Sequence, residues 1–155
     1  MSDWAERAAK KAAEQDRASA MRQEREVYEY RLKDKYGPDY FAELKDWLTL
    51  QVVKYNKHRG RDELLLESST DANSPIQIDG DRTISIKRRD RSRGPLKISY
   101  SPVAHIITYE CGAGKGQFNL AIQGGTAVLE TPNHIVKTIE EIGEEMLSRF
   151  ENSPF

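Results

Sequence analysis

The sequence has a single cysteine and no long apolar run, and each shortage excludes a class of protein. Cys111 is the only cysteine in 155 residues. An intrachain disulfide is therefore impossible, and a cysteine-based zinc cage would have to be shared between subunits. This usage is typical of a cytosolic protein, because small secreted domains commonly depend on disulfides. The longest apolar runs are three or four residues, far short of the ~20 that cross a bilayer. We therefore expect a cytoplasmic protein that does not contact a membrane.

The chain also lacks an excess of charge of one sign and any apolar leader. Its formal net charge is −1 although 32% of its residues are charged. The chain therefore has no overall positive charge of the kind that would indicate nucleic-acid binding. The first twenty residues carry charged side chains throughout, and no apolar stretch typical of a signal peptide can be drawn through them.

Residue spacings that known reactions require are missing as well. The glycine run Gly112 to Gly116 precedes a segment with strand periodicity, and it lacks the Ser or Thr after lysine that a phosphate-binding loop needs. His105 and Cys111 share one predicted strand, which places them about 20 Å apart, too far for a catalytic dyad. The three histidines, His58, His105 and His134, lie in separate elements without metal-binding spacing. The sequence therefore predicts no catalytic residue, no metal and no cofactor. An enzyme site that forms only in three dimensions stays an open alternative.

What the sequence does contain begins with a long run of helix-forming residues. Asp3 to Lys35 has no Gly or Pro, and Ala, Glu, Lys, Arg and Gln predominate. Its best apolar stripe consists of small side chains and is interrupted by Asp16 and Gln23, which makes a poor coiled-coil seam. We expect a coiled-coil-like charged helix that packs only near Val27 to Leu32.

A second helix is predicted after Gly37-Pro38, since Gly suits the end of a helix and Pro its first turn. This boundary divides a charged helical extension, residues 1–36, from a single α+β domain, residues 37–152. Apolar residues of the second helix recur at helical spacing and form one face. They are Phe41, Leu44, Leu48, Val52 and Tyr55.

From Glu63 to Glu130 the apolar period changes to that of strands, with turn signals at short intervals. The predicted strands are Leu64–Ser68, Pro75–Ile78, Thr83–Arg88, Leu96–Ser101, His105–Cys111, Gln117–Ile122 and Ala127–Glu130. Thr131-Pro132 then favours the start of a C-terminal helix that runs to about Phe150. The predicted fold is α+β, with an antiparallel, meander-like sheet of about five to seven strands. One face of this sheet is covered by the C-terminal helix and the preceding amphipathic helix.

The most unusual feature is a basic hairpin. Seven Lys and Arg stand against one Asp between residues 82 and 97, whereas six Glu stand against two basic residues from 130 to 155. The candidate residues for contact with a partner or with phosphate are Lys87, Arg88, Arg89, Arg91, Arg93 and Lys97. The exposed sheet face offers no aromatic residue for base stacking, so the hairpin suits the nucleic-acid backbone and not its sequence. A solubilising strand edge explains the same charge without any ligand.

Two functional hypotheses follow from these surfaces. The first is a non-enzymatic binding or assembly module that contacts a protein partner, or a second copy of itself, through the N-terminal helix and the basic hairpin. The alternative is sequence-independent nucleic-acid binding through the hairpin arginines, which would weaken steeply with salt.

Overall fold

The structure is a computed structural model that describes residues 3–70, 82–90 and 93–153. In these ranges the chain forms two helices and seven strands. The helices are α1 (Trp4–Arg59) and α2 (Ile139–Glu151). The strands are β1 (Leu64–Ser69), β2 (Thr83–Arg88), β3 (Leu96–Ser101), β4 (Ile106–Cys111), β5 (Gly114–Gln123), β6 (Thr126–Glu130) and β7 (Val136–Lys137).

The seven strands make one antiparallel sheet in which each strand pairs with the next along the chain, in the order β1 to β7. The link between β4 and β5 contains only Gly112 and Ala113, because Cys111 pairs with Gly114. The link between β5 and β6 contains only Gly124 and Gly125. The sheet is therefore a simple meander, and the α+β fold with its antiparallel sheet is confirmed.

The core lies on one face of the sheet, as the strand alternation predicts. Alternate residues such as Ile84 and Ile86 in β2 or Leu96 and Ile98 in β3 are buried, while their neighbours face away. Helices α1 and α2 cover this face. The buried helical residues include Phe41, Leu44, Leu48 and Val52 of α1 and Ile142, Met146 and Phe150 of α2. We refer to the two sides as the covered face and the open face of the sheet.

The predicted helix boundary at Gly37-Pro38 is wrong, because α1 continues through both residues. Proline removes one amide donor from the helix and crowds the carbonyl of Asp34, which normally breaks or kinks a helix. Here tertiary packing compensates for that loss. Gly37 is buried, and a Cβ at this position would overlap the phenolic oxygen of Tyr100 on β3. The Phe41 ring lies 5.9 Å from the same Tyr100 ring. Gly37 is thus a contact glycine inside the helix and not its end.

The predicted start of the C-terminal helix at Thr131-Pro132 is also wrong. Helix α2 begins seven residues later with Thr138 as its N-cap. The Thr138 hydroxyl accepts from the Glu141 amide, and the Glu141 carboxylate accepts from the Thr138 amide. This reciprocal capping box satisfies two amides at once, whereas the residue three positions after Thr131 is His134, which is not a capping-box residue. The preceding residues pair with β6 as the short strand β7, and Ile135 is 55% exposed.

The predicted strand Pro75–Ile78 lies outside the described residues. Within the described ranges, no helix has both the length and the apolar character needed to cross a bilayer.

The Gly37 contact generates a stability prediction. Gly37→Ala should destabilise the fold by about 1–3 kcal/mol, the usual cost of inserting a methyl group into packed space. Gly94→Ala is the matched control, since nothing lies within 4 Å of its added Cβ. Urea unfolding followed by circular dichroism measures both. Equal stability of the two variants would show that Gly37 is not in close contact with Tyr100.

Candidate binding cleft

The basic hairpin residues divide between the two faces of the sheet. Lys87 lies on the open face, where its ammonium group is 3.1 Å from the Glu67 carboxylate on β1. Lys97 is exposed on the same face of β3, opposite Glu110 of β4. Both lysines thus neighbour an acidic residue, and they point away from the arginines described below.

Arg88 is placed on the covered face, because it shares the parity of Ile84 and Ile86. Its guanidinium carbon lies 4.2 Å from the centre of the Phe150 ring near the end of α2. Cation–π contact of this kind and apolar burial of the side-chain stem both stabilise packing. Its Nη1 atom is buried and has no hydrogen-bond partner among the described residues. Arg88 therefore connects the hairpin to α2 on the covered face of the sheet.

Arg89 and Arg93 belong to the link between β2 and β3, at the end of the hairpin. The Arg89 amide donates to the Glu63 carbonyl at 2.8 Å, which joins the hairpin to the start of β1, and its side chain is exposed. Arg93 Nη1 donates to the Glu151 carbonyl at 2.7 Å. A cation at this position suits the negative end of the α2 dipole. Arg91, the sixth candidate residue, lies outside the described residues.

The structure brings three of the six candidates into one cleft. Its walls are the end of α1 with the start of β1 on one side and the β2–β3 hairpin on the other, and the end of α2 closes its base. The cleft has a volume of about 910 Å³, large enough for a side-chain cluster or a short peptide segment. Its charged lining consists of Arg59, Arg61, Arg88, Arg89 and Arg93 with Asp62, Glu63, Asp90 and Glu151.

Glu63 organises the α1 wall of this cleft. Its carboxylate accepts from Arg61 at 2.6 Å, from Arg59 at 3.0 Å and from the Tyr55 hydroxyl at 3.1 Å. The Arg61 hydrogen bond, followed by those from Arg59 and Tyr55, lowers the pKa of Glu63. Glu63 therefore stays ionised, and both guanidinium groups are held at the rim.

The asparagine at the end of α1 fixes the position of this wall. The Asn56 side-chain oxygen accepts from the amides of Glu63 and Leu64, and its nitrogen donates to the Leu64 carbonyl, all at 3.0 Å. Gly60 makes the turn possible by adopting a left-handed conformation with φ of 71°.

Arg59 at the end of α1 and Arg61 just after it also line the cleft, although neither is among the six residues that the sequence predicts. The available signal was the alternation of basic and acidic residues around Gly60, from Arg59 to Glu63. The sequence alone does not show that this stretch lies beside the hairpin, because the two are brought together only by the pairing of β1 with β2.

A second surface is the N-terminal part of α1, which we call the arm and define as residues 4–28. Every side chain in it is exposed except that of Ala8, which is half-buried. At 1.5 Å per residue the arm extends about 37 Å. Its base is fixed by His105, whose ring packs edge-on against Tyr30 at 4.7 Å and whose Nε2 lies 2.6 Å from the Asp34 carboxylate.

His105 and Cys111 lie at opposite ends of β4 and do not form a dyad. His105 is 4% exposed and sits in the turn before β4, whereas Cys111 ends that strand. Two buried tyrosines of the core have a pKa raised to about 12, Tyr100 chiefly through desolvation and Tyr109 through desolvation and its hydrogen bond to Glu145. Both therefore stay protonated near neutral pH and do not supply a general base.

Neither a search for metal-binding side chains nor comparison with known proteins assigns a function to these surfaces. Among residues 3–70, 82–90 and 93–153, no group of three or more His, Cys, Asp or Glu side chains has the geometry to hold a metal ion. Comparison of the chain with protein-family models, with curated proteins and with solved structures finds no match.

Because Arg88 and Lys87 lie on different faces of the sheet, replacing each of them should change the stability of the fold by a different amount. Arg88→Ala should destabilise the fold by about 1–2 kcal/mol, because it removes the contact with Phe150 and the buried stem. Lys87→Ala should change stability by less than about 0.5 kcal/mol, because both members of its ion pair are solvent-exposed. Urea unfolding at low and high salt compares them. An equal loss for both variants would contradict the placement of Arg88 against α2.

Proposed function

We propose that the protein is a non-enzymatic binding and assembly module for protein partners. The arm is the observation that carries this proposal. A helix within a protein is normally stabilised by packing one face against the rest of the fold, yet 25 residues of α1 extend beyond the sheet without such cover. Large apolar side chains are exposed along it, including Trp4, Met21, Val27 and Tyr28. A partner surface that covers the arm would complete its packing.

The cleft supplies a second contact in this proposal, and its charge pattern favours a protein over nucleic acid. Five arginines are interleaved with four acidic side chains. Asp62 and Asp90 would repel a continuous phosphate backbone, whereas a peptide with carboxylates and amides can match alternating charges. Arg88 and Arg93 are also engaged with α2, which leaves the exposed Arg89 as the cleft residue best placed to meet a partner.

Affinity capture from a cell lysate tests the module with three variants. Deleting residues 1–26 removes most of the arm and keeps the Tyr30 and Asp34 contacts with His105. Arg89→Glu reverses charge in the cleft, and Lys97→Glu reverses an exposed charge outside it. We expect the deletion and Arg89→Glu each to lose partners that the native chain and Lys97→Glu retain. An unchanged set of bound proteins in all variants would contradict the proposal.

The nucleic-acid alternative is distinguished by fluorescence polarisation with labelled DNA and RNA at about 50 and 200 mM salt. The protein module predicts weak binding that does not depend on Arg89. Tight binding that falls steeply with salt and disappears in Arg89→Glu would make the nucleic-acid backbone the ligand instead.

A further inference from the structure

The side of α1 that faces away from the sheet is a continuous exposed surface. Residues on this side recur with the helical period of 3.6 and lie opposite the buried stripe of Phe41, Leu44 and Leu48. We call it the distal face. It includes Met21, Tyr28, Leu50 and Val53, whose side chains are 70%, 57%, 49% and 56% exposed. Leu50 borders a groove between α1 and α2, and all four side chains stay about half exposed or more.

From residue 7 to residue 46, charge along the distal face is segregated by sign. Between residues 7 and 35 this side carries Arg7, Lys10, Arg17, Arg25 and Lys35 against Glu14. Between residues 39 and 46 it carries only acidic side chains, Asp39, Glu43 and Asp46. A parallel pair of such helices would place like charges together, whereas an antiparallel pair places basic against acidic.

One antiparallel register satisfies two ion pairs simultaneously. Lys10 and Arg17 are seven residues apart, and so are Asp39 and Asp46. If Lys10 of one helix is level with Asp46 of the other, Arg17 is level with Asp39. The midpoint of this register is Tyr28, which would face its own copy.

We infer that the distal face binds α1 of a second copy of this chain, as an antiparallel, two-fold symmetric pair centred on Tyr28. This inference names the partner of the arm and in that respect rests on the proposed function. In each copy the sheet packs against the side of α1 opposite the distal face. The two sheets would therefore lie on the outside of the helix pair and would not obstruct the approach of the helices. The same patch is used by both copies, as a closed dimer requires.

The symmetry allows a charge-reversal test with complementary variants. Lys10→Glu with Arg17→Glu makes both ends of the distal face acidic, and Asp39→Lys with Asp46→Lys makes both ends basic. Each variant should self-associate at least about tenfold more weakly than the native chain, since four attractive contacts per dimer become repulsive. An equimolar mixture of the two should regain the native affinity as a heterodimer. Sedimentation equilibrium measures association, and circular dichroism controls for folding.

Cysteine crosslinking provides an independent measurement of orientation in a Cys111→Ser background. Tyr28→Cys should form a disulfide-linked dimer, because residue 28 faces itself across the two-fold axis. Met21→Cys should not, because its counterpart lies about 20 Å away along the axis in the antiparallel pair. Crosslinking of both would indicate a parallel pair and overturn the inference.

The outcomes separate this inference from the proposed function. A native chain that stays monomeric at about 100 µM, or a mixture that fails to associate, overturns the self-pairing. If partner capture still depends on residues 1–26 in that case, the binding module stands with a different protein on the arm.

Discussion

The continuity of α1 across the sheet is the constraint on which the other surfaces depend. A Gly-Pro pair in a helix removes side-chain cover and one backbone hydrogen bond, which favours a break. The close approach of Tyr100 at Gly37, together with the buried residues that follow in α1, opposes that break with contacts available only to a continuous helix. The same residues that secure the core therefore fix the direction of the arm.

This arrangement links the two ends of the molecule. Toward the N-terminus, His105 holds Tyr30 and Asp34, and beyond them α1 has no cover. Toward the C-terminal end of the helix, Asn56 and Glu63 build one wall of the cleft, while Arg88 and Arg93 join the opposite wall to α2. Along α1, Tyr28 at the end of the arm lies about 46 Å from Arg59 at the cleft, so the arm and the cleft are separate surfaces of one module.

Periodicity predicted much of the fold, because alternation and helical spacing are local properties of the chain. The apolar parity of β2 to β5 and the buried stripe from Phe41 to Val52 correspond closely to the structure. Tyr55, the last predicted member of that stripe, is 44% exposed. The errors occurred where non-local contacts outweigh local preference. Gly37-Pro38 has the local sequence character of a helix end, but packing of Tyr100 against Gly37 accompanies a helix that continues through both residues. Thr131-Pro132 resembles a helix start, but the residues that follow it pair with β6 as β7. The Thr138 capping box that starts α2 is a local signal, Thr three residues before Glu, which the sequence prediction overlooked.

The candidate site was predicted only in part for the same reason. The abundance of arginine in the hairpin is visible in the sequence, but the parity of β2 decides that Lys87 faces outward and Arg88 inward. Arg59 and Arg61 join the cleft through tertiary structure alone. Charge composition can therefore mark a hairpin, although it does not separate the side chains that hold α2 from those available to a partner.

The continuity of α1 is tested most directly by a distance across Gly37-Pro38. Spin labels at Ser19→Cys and Lys54→Cys in a Cys111→Ser background would occupy exposed positions on either side of it. Dilution with unlabelled chain removes distances between copies. A continuous helix predicts a single narrow distribution near 50 Å, from about 1.5 Å per residue. A broad distribution, or one centred at a much shorter distance, would show that the helix breaks at Gly37-Pro38 and would contradict the fixed direction of the arm.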